Sequence, residues 1–177
     1  AHEGYVALRF SADIPAMQEV VTRSVDPDGG GVQDMTLFCF DSYGLFTTTV
    51  EAKVTPTGNG AGLTGNFEAE VPENTRTVHF LANQNMSEFK EDKFRNKSEA
   101  EVMALLEGSS GRMIYWARFT CDPDNDSKID AQMADKGNTI KMIRNHAQVS
   151  IDNPINGWIE VTGFVAYNTN AFGTVAP

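Results

Sequence analysis

Apolar and polar residues alternate with a period of two along much of this chain, the rhythm of strands that bury one face. Val6, Leu8 and Phe10 fall on one side of an extended segment and Tyr5, Ala7 and Arg9 on the other, which predicts a strand over residues 4–10. Residues 35–41 (MTLFCFD) are apolar on both faces, as in a central strand covered on both sides. Phe46, Thr48, Val50, Ala52 and Val54 alternate with Thr47, Thr49, Glu51 and Lys53, predicting one strand with a wet face. Phe67, Ala69 and Val71 alternate with Glu68 and Glu70 in the same way. Further strand-like runs cover residues 77–82, 113–121, 139–143, 147–151 and 158–167. Turn signals separate them: DPDGGG at 26–31, SYG at 42–44, PTGNGAG at 56–62, PENT at 72–75 and DNPING at 152–157.

One helix interrupts this pattern. Ser98 and Glu101 form a capping-box signature ahead of Val102, Leu105 and Leu106 at helical spacing, and Gly108 supplies a stop. Residues 93–97 are polar and read as loop. No repeat of 20–50 residues recurs, which excludes solenoids and propellers. About nine strands with a short helix near 98–107 predict an all-β, Greek-key β-sandwich, transthyretin-like or immunoglobulin-like.

The length of 177 residues and the 41% hydrophobic content suit one domain with a sizeable core. The net charge of −10 is spread along the chain without a basic cluster, which argues against nucleic-acid or anionic-lipid partners. No apolar stretch approaches the ~20 residues of a membrane-spanning helix. The first residues lack the charged and apolar regions of a signal segment, leaving open a cytosolic protein or one whose signal has been removed.

Little in the sequence points to catalysis or a cofactor. His2, His79 and His146 stand at no metal-ligand spacing and read as structural or solvent-facing; no nucleophile motif or phosphate-cradling loop accompanies them. Asp122, Asp124 and Asp126 in CDPDNDSKID are weak candidates for a calcium site, because alternate carboxylates can converge on a hard cation. Ser127 and Met133 occupy the positions where an EF-hand needs glycine and a bidentate glutamate, so a solvated acidic loop is the preferred reading. Trp116 and Trp158 read as packing residues rather than a sugar platform. Cys39 and Cys121 read as two free, buried or half-buried thiols, with a disulfide as the alternative.

An Arg-Ser pair, Arg23 and Ser24, follows the first strand through a polar connector, although Arg76, Arg95 and Arg112 offer a trypsin-like protease the same residue type. The order of FSADIP, VTRS, LFCFDSYGLF, NFEAEVPENTRTVHFLAN, IRNHAQVSI and GWIEVTGFVAYNTNAFGTVAP resembles the amino-terminal domain of the Bacteroides-type fimbrillin family, the major fimbrial subunit proteins. The resemblance spans nearly the whole chain, and its most specific parts are residues 71–83 and the terminal YNTNAFGTVAP.

The resemblance implies a non-enzymatic subunit of an adhesive cell-surface fimbria, exported to the outer membrane as a lipoprotein precursor. It also implies a second sandwich domain beyond this chain. An arginine-specific protease would cut between Arg23 and Ser24, residues 1–23 would leave with Val6, Leu8 and Phe10 as the core of the removable strand, and a strand from another fimbrial subunit would replace them. The alternative is a non-polymerising surface module that binds a glycan or host protein.

Overall fold

The computed structural model describes residues 1–14, 32, 34–57, 64–84, 86, 91–108, 114–145, 163, 165 and 173–174. The strands are β1 (Tyr5–Asp13), β2 (Met35–Phe40), β3 (Phe46–Glu51), β4 (Lys53–Thr57), β5 (Thr64–Pro72) and β6 (Thr77–Ala82). Further along are β7 (Glu107–Gly108), β8 (Tyr115–Thr120), β9 (Thr139–Lys141), β10 (Ile143–Arg144) and β11 (Gly173–Thr174), with helices α1 (Glu99–Ala104) and α2 (Ile129–Asp135). A four-stranded sheet in the order β4-β5-β1-β9 faces a five-stranded sheet in the order β10-β8-β6-β2-β3, and β7 pairs with β11 separately. The protein is an all-β sandwich.

Two apolar layers explain the pattern of the chain. The main core lies between the sheets and takes Val6, Leu8, Phe10 and Ala12 from β1, Phe67, Ala69 and Val71 from β5, and Leu37, Cys39, Val78 and Phe80 from β2 and β6. A second cluster on the outer face of the five-stranded sheet joins Phe38, Phe40 and Leu81 to Phe94, Val102, Met103 and Leu106, so α1 and the segment before it roof that face. Every residue of β2 and β6 is therefore buried, which accounts for their lack of a wet face.

Several predicted elements are corrected. The single strand expected over residues 46–54 divides at Ala52, with β3 on β2 in one sheet and β4 on β5 in the other. Val50, Ala52 and Val54 all face the main core, so the period of two continues while the hydrogen-bonding partner changes. Phe46 does not share that face: a register shift at Cys39/Phe40 turns it into the second cluster, where its ring centroid lies 5.9 Å from that of Phe40. The run at 139–143 divides similarly around Met142, with β9 parallel to β1 and β10 antiparallel to β8.

α1 has the predicted capping box, but its C-cap is Leu105 and Gly108 belongs to β7. Met103, not Leu105, joins Val102 and Leu106 inside; Leu105 is 43% exposed. α2 replaces the end of the expected acidic loop and buries Ile129, Gln132 and Met133 at i, i+3 and i+4. The runs expected at 147–151 and 158–167 lie outside the described residues, apart from Gly163 and Val165. Among the described residues no helix is long and apolar enough to cross a membrane.

Candidate functional site

β1 is an inner strand. It pairs antiparallel with β5 from Tyr5↔Pro72 to Ser11↔Asn66, then parallel with β9 from Ser11↔Thr139 to Asp13↔Lys141. Val6, Leu8 and Phe10 are 7%, 1% and 4% exposed, and Ala12 and Ile14 extend this buried row past the predicted end of the strand. Phe10 stacks on Phe67 at 5.3 Å and meets Phe80 of the opposite sheet edge-on at 5.0 Å. α2 packs against β1 as well, with Ile129 and Met133 in the same core.

The outer face of β1 is fastened more lightly. Arg9 Nε donates to Glu68 Oε1 at 3.2 Å, and the Ala1 amino group lies 3.5 Å from Glu70, both at the surface. Among the described residues, no strand pairs with residues 5–10 on the side away from β5. Arg23 and Ser24 lie outside the described residues, as does the rest of the connector from residue 15 to 31.

β6 presents the contrasting environment. His79 is 3% exposed on the outer face of its sheet. Its Nδ1 accepts from Trp116 Nε1 at 2.9 Å; since an indole only donates, the ring proton sits on Nε2, which donates to Glu99 Oε1 at 2.6 Å. Arg118 donates to both oxygens of Glu99, joining β8 to the first turn of α1. Burial pushes the His79 pKa down, against the pull of Glu99, while the Arg118 hydrogen bonds hold Glu99 below the usual carboxylate range. With both nitrogens engaged, this imidazole has no lone pair to offer a substrate or a metal. His2 is exposed beside Glu70, and His146 and Trp158 lie outside the described residues.

The acidic stretch is held by protein groups. Asp122 Oδ1 accepts from the Asp124 N–H at 3.0 Å, and Asn125 Oδ1 from the Ser127 N–H at 2.9 Å. Buried Gln132 accepts from the Asp122 N–H and donates to the carbonyls of Asn125 and Ser127. Arg76 donates to the Ser127 carbonyl from the β5–β6 turn. Asp122 and Asp126 line a groove of about 410 Å³ with Asp41 and Arg76, whereas Asp124 does not join them there. Among the described residues, no three His, Cys, Asp or Glu side chains are grouped to hold a metal. The Gln132 signal was legible only as IDAQMAD, a spacing too short to separate from a loop without the packing.

Cys39 and Cys121 are buried free thiols. Burial pushes Cys39 up to about 12 and raises Cys121 as well, so neither is a ready thiolate.

No family model matches the chain, and no curated protein does either. Among solved structures it is similar to a fimbrial assembly protein from Parabacteroides distasonis, at 12% identity and a TM-score of 0.40. The similarity covers 79% of this chain and 54% of that one, so the chain spans about half the length of that protein.

Proposed function

We propose that the protein is a structural subunit of a cell-surface fimbria, and that subunits join by exchange of the first strand. The observation that carries this reading is the placement of β1, an inner strand with a buried apolar row and a lightly fastened outer face, just before the connector that holds Arg23. An arginine-specific protease cuts between Arg23 and Ser24 and leaves β1 held by noncovalent contacts alone.

The energetics favour replacement over simple loss. Burial of Val6, Leu8 and Phe10 at ~1.5–3 kcal/mol each contributes on the order of 5–8 kcal/mol, comparable to the ~5–15 kcal/mol that stabilises a whole domain. Departure of β1 without a substitute exposes Phe67, Ala69, Val71 and Phe80 together with the backbone edge of β5. A strand from another fimbrial subunit restores both the apolar row and the ladder, the physics of strand addition. The reading places the mature subunit at the cell surface, exported as a lipoprotein precursor and joined to a further domain that supplies the donor strand.

Limited digestion of the parent protein with an arginine-specific protease tests this reading. The expected first cut lies between Arg23 and Ser24, followed by SDS-resistant ladders. A first cut elsewhere, or a correctly cut protein that stays monomeric, overturns it.

A further inference from the structure

The apolar row of β1 is graded in size: valine, leucine, phenylalanine, alanine and isoleucine stand at positions 6, 8, 10, 12 and 14. All of them are buried in the main core. Phe10 fills a slot with a ring on each side, stacked on Phe67 of its own sheet at 5.3 Å and edge-on to Phe80 of the opposite sheet at 5.0 Å. Two positions on, the largest side chain of the row gives way to a methyl, yet Ala12 is only 1% exposed. Neighbouring groups therefore fill the space that a larger residue would need.

The sheet supplies the reason. Among the described residues, a strand flanks residues 5–10 only on the β5 side, whereas β9 joins the other side of β1 from Ser11 onward. Ala12 is in register with Ile140, whose side chain enters the same core. α2 also packs against β1, with Ile129 and Met133 in that core. The backbone is held here as well: the Ser11 N–H donates to the Asn138 carbonyl at 2.8 Å, and the Asp13 carbonyl accepts from the Met142 N–H at 2.9 Å. A slip of two residues along β5 keeps the apolar face inward, but it carries Phe10 or Ile14 to the place of Ala12, beside Ile140.

We propose that this order of sizes selects the strand that replaces β1. The incoming strand needs an aromatic residue for the slot between Phe67 and Phe80, then alanine or glycine two positions later beside Ile140. The residue between them is any but proline, because its N–H must reach the Asn138 carbonyl. The pattern is defined by β1 itself, which occupies the site in this structure. This inference rests on the proposed exchange of β1 and deepens it, since it names the chemistry of the incoming strand and makes Ala12 the residue that fixes its register.

Protein cut after Arg23 is offered isotopically heavy peptides of residues 1–23 in equal excess, and the bound strand is weighed by native mass spectrometry. One peptide is wild type, one carries Phe10→Ala together with Ala12→Phe, and one carries Ser11→Pro. The rearranged peptide keeps the composition and alternation of wild type, and the host protein is unaltered, so neither total hydrophobicity nor the folding of a variant enters the comparison. The expected result is replacement of the light strand by the wild-type peptide and at least about tenfold less replacement by each variant. Either variant entering as readily as wild type, in protein that takes up wild type, overturns the selection and leaves strand exchange standing. A wild-type peptide that never enters overturns strand exchange itself and the selection with it.

Discussion

β1 and β6 bury their inner residues in the same core, where Phe10 of one meets Phe80 of the other, yet they belong to the fold in different ways. β1 alternates buried and half-buried or exposed positions, and its outer face carries Arg9 and Tyr5 at the surface. β6 is buried throughout, and His79 on its outer face is tied to Trp116 of β8 and Glu99 of α1. A strand that asks only for an apolar row of period two can be replaced by another strand with that row. A strand that also anchors a hydrogen-bonded network on its second face cannot. In the proposed exchange β1 is the strand that is replaced and β6 the one that stays.

The largest expected effect separates the two through their aromatic residues. Phe80→Ala should cost ~3–5 kcal/mol of unfolding free energy whichever strand occupies the β1 position. Phe10→Ala should cost a similar ~3–5 kcal/mol in the intact chain and close to nothing once a wild-type strand has replaced the chain's own β1. Denaturant unfolding of both forms checks this; equal losses for Phe10→Ala in both mean that β1 never left.

A smaller effect sharpens the permanence of β6. Burial lowers the folded-state pKa of His79 below its ordinary 6.5, so the unfolded chain binds the extra proton first. The contribution of neutral His79 to stability is complete above that ordinary value and is lost as pH falls below it toward the folded pKa. Protonation would also turn Nδ1 into a donor facing the Trp116 N–H. Thermal melts from about pH 8 to about pH 5 should therefore decline more steeply for wild type than for His79→Gln. Parallel profiles contradict the assigned role of the neutral imidazole.

The smallest effect belongs to the outer face of β1. Arg9→Ala removes an exposed ion pair with Glu68 and should change stability by only ~0–1 kcal/mol. A loss of several kcal/mol, read from the same denaturant curves, would mean that this face is fastened and that β1 resembles β6 after all.

Legibility in the sequence followed the range of each interaction. The inward rows of β1 and β5 were readable because period-two burial is written locally, β2 was readable as a run apolar on both faces, and the Ser98–Glu101 capping box marked the start of α1. The sheet changes at Ala52 and Met142 were not, since a strand can keep its alternation while exchanging partners. The reversal of Phe46 depends on a shifted register with β2. α2 begins at Lys128 without a side-chain cap, so nothing local announced it. His79, Trp116, Glu99 and Arg118 are separated by up to 39 residues, and only the packing of β6, β8 and α1 brings them together.

The most direct measurement of the central claim follows β1 itself. Protein cut after Arg23 is mixed with an isotopically heavy peptide of residues 1–23, and the bound strand is weighed by native mass spectrometry. The account predicts that the light strand stays bound in buffer alone, that the heavy peptide replaces it after cutting, and that uncut protein takes up none. A cut protein that keeps its light strand against excess heavy peptide, or that loses it at once and unfolds, contradicts the account.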